Sequence, residues 1–380
     1  MTSIERVSLS LNHHEPDRVP IDFGGHLITG IHCDAYKNLL DYLGKDCSNI
    51  KIERYRQRTA VVDEEIFQMA HSDFRPLVPP MPDLKWSENE SYREYTDEWG
   101  VSWKRNKNDG LYYEQNKACF EEMPSIDTLS EKVWPDYSLD KRITGLSEKA
   151  EEIFQKEKVP ILDLPLGLEI FDAGFNICGS SNFYMLLALD PKAAEYIMDK
   201  QLEAQIDWWT QAIHSLPKLN FIRIGDDLGA QESMLVDPDM YRKMVLPRHK
   251  KLFREIKDVS EGRVKIIMHS DGAIEPVLGD LIDAGIDCLN PVQYTINGLD
   301  PKILKREFGK DLTFWGGGID TQSILPSATP SEVKEEVKKQ IDILAPGGGF
   351  VFSQVHIIQK DVPPGNIIAM FEAALEFGQY

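Results

Sequence analysis

Two short stretches carry groups capable of acid–base or metal chemistry directly after apolar runs. They are "FIRIGDDLG", with Asp226 and Asp227, and "VKIIMHSDG", with His269 and Asp271. Adjacent carboxylates on an extended chain face opposite ways, so Asp226 and Asp227 are expected to divide roles, one toward a pocket and one toward a loop. His269 and Asp271, two residues apart, share a side if the chain stays extended. That spacing suits a metal pair, a His oriented by a carboxylate, or a helix cap in a polar turn. Asp226, Asp227, His269 and Asp271 are therefore the candidate catalytic residues.

Other apolar runs end in the same way. His26 follows "RVPIDFGG", Glu169 lies beyond "LDLPLG", and Asn290 and Gln293 follow "IDCL". Asp320 ends "GGGID", and Gln354 and His356 lie in "FVFSQVHII". Each has an ordinary explanation as a turn or capping residue. Their common address at strand ends is the stronger signal, because such ends meet in one mouth when strands close into a barrel. His26, Glu169, Asn290, Gln293, Asp320 and Gln354 are read as candidates for contacting substrate.

The elements that must position these residues follow from the hydrophobic pattern. From about residue 145 onward, apolar β-rich runs alternate with amphipathic helical runs such as "LDPKAAEYIMDKQLEAQIDWWTQAIHSL". This alternation predicts an α/β fold with parallel strands buried on both faces. So many successive units predict a (β/α)8 TIM-type barrel. "RVPIDFGGH" reads as its first strand. No G-x-G-x-x-G fingerprint follows any strand, and "GGGID" reads as a tight turn.

Between about residues 84 and 135 the pattern changes to "YREYTDEWGVSWKRNKNDGLYYEQNKACF", aromatic and alternating. Asn108-Asp109-Gly110 reads as a tight turn at positive φ, which predicts an inserted antiparallel β-hairpin. Lacking helices for a core of its own, it is read as an insertion within one domain spanning 1–380. Folded over the mouth, the aromatic segment 95–113 would exclude water; packed elsewhere, it would cover the barrel rim or a homodimer partner.

The formal net charge of −20 argues against partners that present phosphates, whether nucleic acid or anionic membrane. No run approaches the ~18 apolar residues of a membrane span, and no apolar leader follows Met1. The five cysteines, at 33, 47, 119, 178 and 288, have no close pairs, which disfavours a disulfide framework or a Cys-X-X-Cys metal knuckle. A soluble, cytoplasmic protein is expected.

The motifs "EPDRVPIDFGG", "DEWG", "IRIGDDLG", "IIMHSDG", "LTFWGGGIDTQSILP" and "APGGGFVFSQVHIIQKDVPPGNIIAM" together resemble the uroporphyrinogen decarboxylase superfamily over nearly the whole chain. The resemblance implies an α/β barrel and one of two activities: porphyrinogen decarboxylation, or methyl exchange with a corrinoid protein. The decarboxylases carry Arg-Gln-Ala-Gly-Arg and Phe-Ser-Asp segments, both absent from "PIDFGGHLITG". The strand ends also offer almost no arginine for a polycarboxylate. The methyltransferase branch fits better.

Its thiol-methylating members hold zinc with a His-X-Cys motif and a later Cys. Here the first reads His269-Ser270-Asp271, and "APGGGFVF" holds no Cys. Without soft thiolates, a zinc site would be weaker and would draw on His269 and Asp271, with Glu169 or His356. The resemblance thus implies methyl transfer between a small methylated compound, such as a methyl ether or methylamine, and a corrinoid carried by a partner protein. A decarboxylase or lyase acting on another acid, and a catalytically inactive ligand-binding barrel, are the competing readings.

Overall fold

The computed structural model describes residues 1–82, 84–138, 141–165, 167, 169–296 and 298–380. A short antiparallel pair comes first, β1 (Ile52–Arg54) and β2 (Thr59–Ala60). Seven strands then form a curled parallel sheet: β3 (Phe74–Leu77), β8 (Val159–Asp163), β9 (Phe221–Gly225), β10 (Lys265–His269), β11 (Cys288–Asn290), β12 (Thr313–Trp315) and β13 (Phe350–Val351). Every neighbour pairs in parallel, and from β8 onward the spatial order follows the chain. Helices such as Pro191–Ser215, Leu246–Val259 and Pro330–Leu344 connect the strands.

The sequence predicts eight strands, and the described residues show seven. "RVPIDFGGH" makes only one parallel bridge, Ile21 to Phe352 beside β13. The same segment accepts a hydrogen bond from the N–H of Asp73, beside β3, through the Ile21 carbonyl at 2.8 Å, so it lies between the two edge strands. Pro20 has no N–H to donate, and Gly24 turns the chain away at φ 70°, which limits the ladder.

Two apolar clusters sit on the two faces of the sheet. Phe74, Val159, Ile161, Phe221, Ile267, Cys288, Trp315 and Val351 fill the concave interior, closed from below by Val7. The much larger second cluster lies between strands and helices. Side chains alternate along a strand, so the residue two places beyond each interior residue faces the same interior one layer higher. Asp163, Arg223, His269 and Asn290 occupy that higher layer, and the register pairs Asp163 with Arg223 and His269 with Asn290.

The insertion is a four-stranded antiparallel sheet rather than a lone hairpin: β4 (Lys85–Glu88), β5 (Tyr92–Thr96), β6 (Ser102–Asn106) and β7 (Glu114–Lys117). A turn forms at 107–109, closed by Gly110 N–H to the Asn106 carbonyl at 3.0 Å, but neither Asn108, Asp109 nor Gly110 takes the expected positive φ. Gly110 is required for close approach instead, since a Cβ there would lie 2.5 Å from the Asn106 carbonyl oxygen. Tyr95, Trp99, Val101, Trp103 and Tyr113 join the main apolar cluster.

Candidate active site

A cavity of about 580 Å³ opens at the C-terminal ends of β8, β9 and β10. Its floor is the polar layer above the interior core, and Asp163, Arg223, Asp226, Asp227, His269 and His356 line it. Tyr95, Trp103, Tyr112 and Tyr113 from the insertion complete the wall. The insertion is tied there by Tyr113 N–H to the Arg56 carbonyl, 2.9 Å, and by Gln115 to the Asn176 carbonyl, 2.6 Å. The Gln359 amide donates to the Tyr112 hydroxyl. The aromatic segment therefore covers the mouth.

At the end of β10, His269 is held in one orientation. Asn290 donates its amide N–H to the Trp315 carbonyl at 3.0 Å, which leaves its oxygen to accept from His269 Nδ1 at 2.8 Å. Nδ1 therefore carries the proton, and Nε2 presents a lone pair to the mouth. Around that nitrogen lie Asp271 at 3.7 Å and Asp227 at 3.8 Å. His356 Nε2 is 3.6 Å from the same Asp271 oxygen, and burial pulls its pKa below the usual value. Ligand atoms of His269, Asp271 and His356 all fall within 4.8 Å of one another. Two imidazoles and a carboxylate that converge in this way, one imidazole with an anchored second nitrogen, fit a divalent cation such as Zn²⁺. Glu169, also a candidate ligand from the sequence, lies outside this cluster.

Two glycines press the loops of Asp227 and Asp271 together. A Cβ on Gly272, which has φ 86°, would sit 2.2 Å from the Gly229 carbonyl carbon. Across this contact Leu228 N–H donates to Ser270 Oγ at 3.0 Å, and Asp271 N–H to Asp227 at 3.2 Å. The final glycines of "GDDLG" and "HSDG" are thus a single packing device. Gly272→Ala is expected to lower stability by about 1–3 kcal/mol through forced φ and overlap. An unchanged denaturant midpoint would contradict this contact.

Asp226 and Asp227 diverge. Buried Asp226 accepts the backbone N–H groups of Phe171 at 2.8 Å and Asp172 at 2.9 Å, and pairs with His249 Nε2 at 2.9 Å. It is a positioning residue that fixes the start of the helix Asp172–Cys178. Asp227, with 52% of its side chain exposed, faces the mouth.

Among the residues read as substrate contacts, Glu169 lines the cavity. Its carboxyl lies 3.7 Å from Arg223, and burial pushes its pKa up to about 8, so it is protonated at neutral pH. Asn290, Gln293, Gln354 and Asp320 spend side-chain polar atoms on other groups of the chain, and His26 does not. Gln293 accepts from Gly272 N–H at 3.0 Å, and Gln354 donates to the Thr29 carbonyl at 2.7 Å. Asp320 accepts from Ser323 N–H at 2.7 Å and Ile324 N–H at 3.1 Å. His26 is buried with neither ring nitrogen hydrogen-bonded, and burial drives its pKa down to about 3.

The scarcity of arginine expected at the mouth is overturned. Arg54, Arg56 and Arg223 all line the cavity. The first two come from the β1–β2 ribbon, and Arg223 sits at the middle of β9, so a survey of strand ends misses all three. Asp163, also missed, lies between Arg54 at 3.7 Å and Arg223 at 3.5 Å. Burial works to raise its pKa, and the two guanidiniums outweigh that and hold it low. A charged residue at an interior position of the apolar strand "FIRIG" was the available signal.

A family model for uroporphyrinogen decarboxylase (URO-D) matches residues 173–377. A methylated-thiol–coenzyme M methyltransferase of Methanosarcina mazei is 23% identical over 224 residues, covering 57% of this chain and 55% of that protein. A uroporphyrinogen decarboxylase of Saccharophagus degradans is 30% identical over 198 residues, 49% of each. The chain spans about half the length of these curated relatives. A solved methyltransferase from Methanosarcina mazei shares the fold at TM-score 0.65 and 16% identity over 99% of both chains. No helix among the described residues is long and apolar enough to cross a membrane. The family match takes in β9 to β13, and with them the strand ends that carry Asp227, His269, Asp271 and His356: the chain belongs to the uroporphyrinogen decarboxylase family.

Proposed function

We propose that this protein is a methyltransferase that moves a methyl group between a small methylated compound and a corrinoid protein. The observation that carries this reading is the convergence of His269, Asp271 and His356 at the covered mouth, on the His269-Ser270-Asp271 segment that the family resemblance aligns with a His-X-Cys zinc motif. The curated methyltransferase relative supports the same class of reaction. His269 Nε2, Asp271 and His356 Nε2 would hold the cation. Zn²⁺ bound there supplies Lewis acidity toward the heteroatom that bears the methyl group.

The chain's own residues do the rest. Asn290 keeps the His269 lone pair aimed at the mouth. Asp227, 3.8 Å from His269 Nε2, lies beside the cluster and serves as acid or base at the departing heteroatom. The tyrosines of the insertion limit water at the reacting atoms. Two expectations keep their place in the proposal: a single domain over 1–380, read from the chain, and a corrinoid carried by a partner protein, which the family resemblance implies.

Mixing the protein with reduced corrinoid protein and a panel of methoxylated or methylamine donors tests the reading. Loss of the cob(I)alamin absorbance with growth of a methylcobalamin band is expected for at least one donor. No change with any donor would defeat it. A second reading, decarboxylation of a small acid, is favoured by the buried arginines Arg54 and Arg223. Carbon dioxide release without any corrinoid would select that reading.

A further inference from the structure

Two buried guanidiniums in the cavity have hydrogen-bonding capacity to spare. The Arg54 and Arg223 side chains are each only 8% exposed. Arg54 Nε and Nη2 and Arg223 Nε make no hydrogen bond to any described residue, and neither does Asp163 Oδ1 between them. Their mutual contacts, 3.5 to 3.7 Å, are beyond hydrogen-bond length. Buried N–H groups of a charged side chain left unmet are strongly unfavourable, and native proteins meet them with protein groups, ordered water or a ligand.

The charge balance points the same way. Asp163 is held ionised by the two arginines, and Glu169 carries its proton at neutral pH. The carboxylates within 4 Å of the two guanidiniums are Asp163 and Glu169, so with Glu169 protonated the arginine pair carries a local excess of positive charge, although Asp226 and Asp227 line the same cavity. A divalent phosphate there would also face Asp163, Asp226 and Asp227, whereas a singly charged planar carboxylate matches a guanidinium fork. Beside the arginines, the rings of Tyr95, Trp103, Tyr112 and Phe175 offer apolar surface for the remainder of a ligand.

We infer that Arg54 and Arg223 form a carboxylate subsite, and that the methylated substrate is a small carboxylic acid with an apolar, ring-like body. The acid group anchors on the arginines, and the methyl-bearing heteroatom points across the same cavity toward His269 and His356. Assigning the carboxylate to the methyl donor rests on the proposed methyl transfer; the subsite itself does not.

Benzoate, which has no methyl group, separates the two. Calorimetric titration of the intact protein with benzoate is expected to show binding, and benzamide at equal concentration is expected to show none. Arg54→Met and Arg223→Met should each weaken benzoate about tenfold or more, the loss of a charge-assisted pair. Where a methionine variant does not fold by circular dichroism, Arg54→Lys or Arg223→Lys replaces it, keeping the charge and losing the fork, with a severalfold loss expected.

Glu169 faces Arg223, Asp226, Asp172 and Gln205. Its ionisation as pH rises through about 8 places a competing anion beside Arg223, so benzoate should bind more weakly above that pH. Glu169→Gln should remove this pH dependence.

Equal binding of benzoate and benzamide, or unchanged benzoate affinity in folded arginine variants, would overturn the subsite. Preference for benzenesulfonate over benzoate would overturn its assignment to carboxylates. Intact benzoate binding in a protein that transfers no methyl group would sink the methyl-transfer reading alone.

Discussion

His269→Ala is expected to release the bound cation and to lower methyl transfer by about a thousandfold or more. A Lewis acid contributes several kcal/mol to the stabilisation of a departing heteroatom, and each 1.4 kcal/mol is about tenfold in rate. The remaining donors, Asp271 and His356, make up a two-ligand set whose carboxylate is already about a third exposed. Asn290→Ala leaves all three donors in place but frees the His269 ring, so about 10- to 100-fold weaker metal affinity is expected. Asp271→Cys should act in the opposite direction, since a thiolate binds Zn²⁺ more strongly than a carboxylate. Elemental analysis after dialysis, followed by chelator competition, reads all three variants. Wild-type protein that is free of metal yet active, or a His269→Ala variant that keeps one equivalent, would rule the site out.

Asp226→Ala should cost about 3–5 kcal/mol of stability, the second large effect. The substitution strands the N–H groups of Phe171 and Asp172 at a buried helix start and removes the partner of His249. His249 is itself buried between the Tyr241 hydroxyl at 3.2 Å and the stacked ring of Phe253. Neighbouring Asp227, half exposed, makes a poor structural group, so Asp227→Ala should change stability by about 1 kcal/mol or less while depressing turnover. Denaturant unfolding of both variants separates the two carboxylates. Comparable stability losses would refute the division of roles.

Much of the scaffold is legible in the chain. The apolar runs that become β8 to β13 and the helices between them stand out by periodicity, because parallel strands covered on both faces must be apolar almost throughout. Within them, Ile161 and Asp163, Phe221 and Arg223, Ile267 and His269, and Cys288 and Asn290 alternate two by two. That period alone assigns a polar layer above an apolar plug. The first strand was less legible, since Pro20 and Gly24 break the ladder that its apolar residues advertise. The insertion showed its β character and the place of its turn but not its fourth strand or the turn's conformation, because Gly110 is used for a close approach rather than for positive φ.

The site divides along the same line. Sequence by itself determined which residues reach the strand ends, since alternation and chain direction are local properties. Only the tertiary structure decided which of them keep a free polar atom. Asp226, Asp320 and Gln354 look like Asp227 and His356 in the chain, yet backbone groups from other segments consume their oxygens and amides. Arg54 looks like a surface residue of a short ribbon, yet it is buried beside Asp163, more than a hundred positions away. A hydrogen bond is satisfied or left open by whatever group lies within about 3 Å, and that neighbour is set by packing across the whole fold.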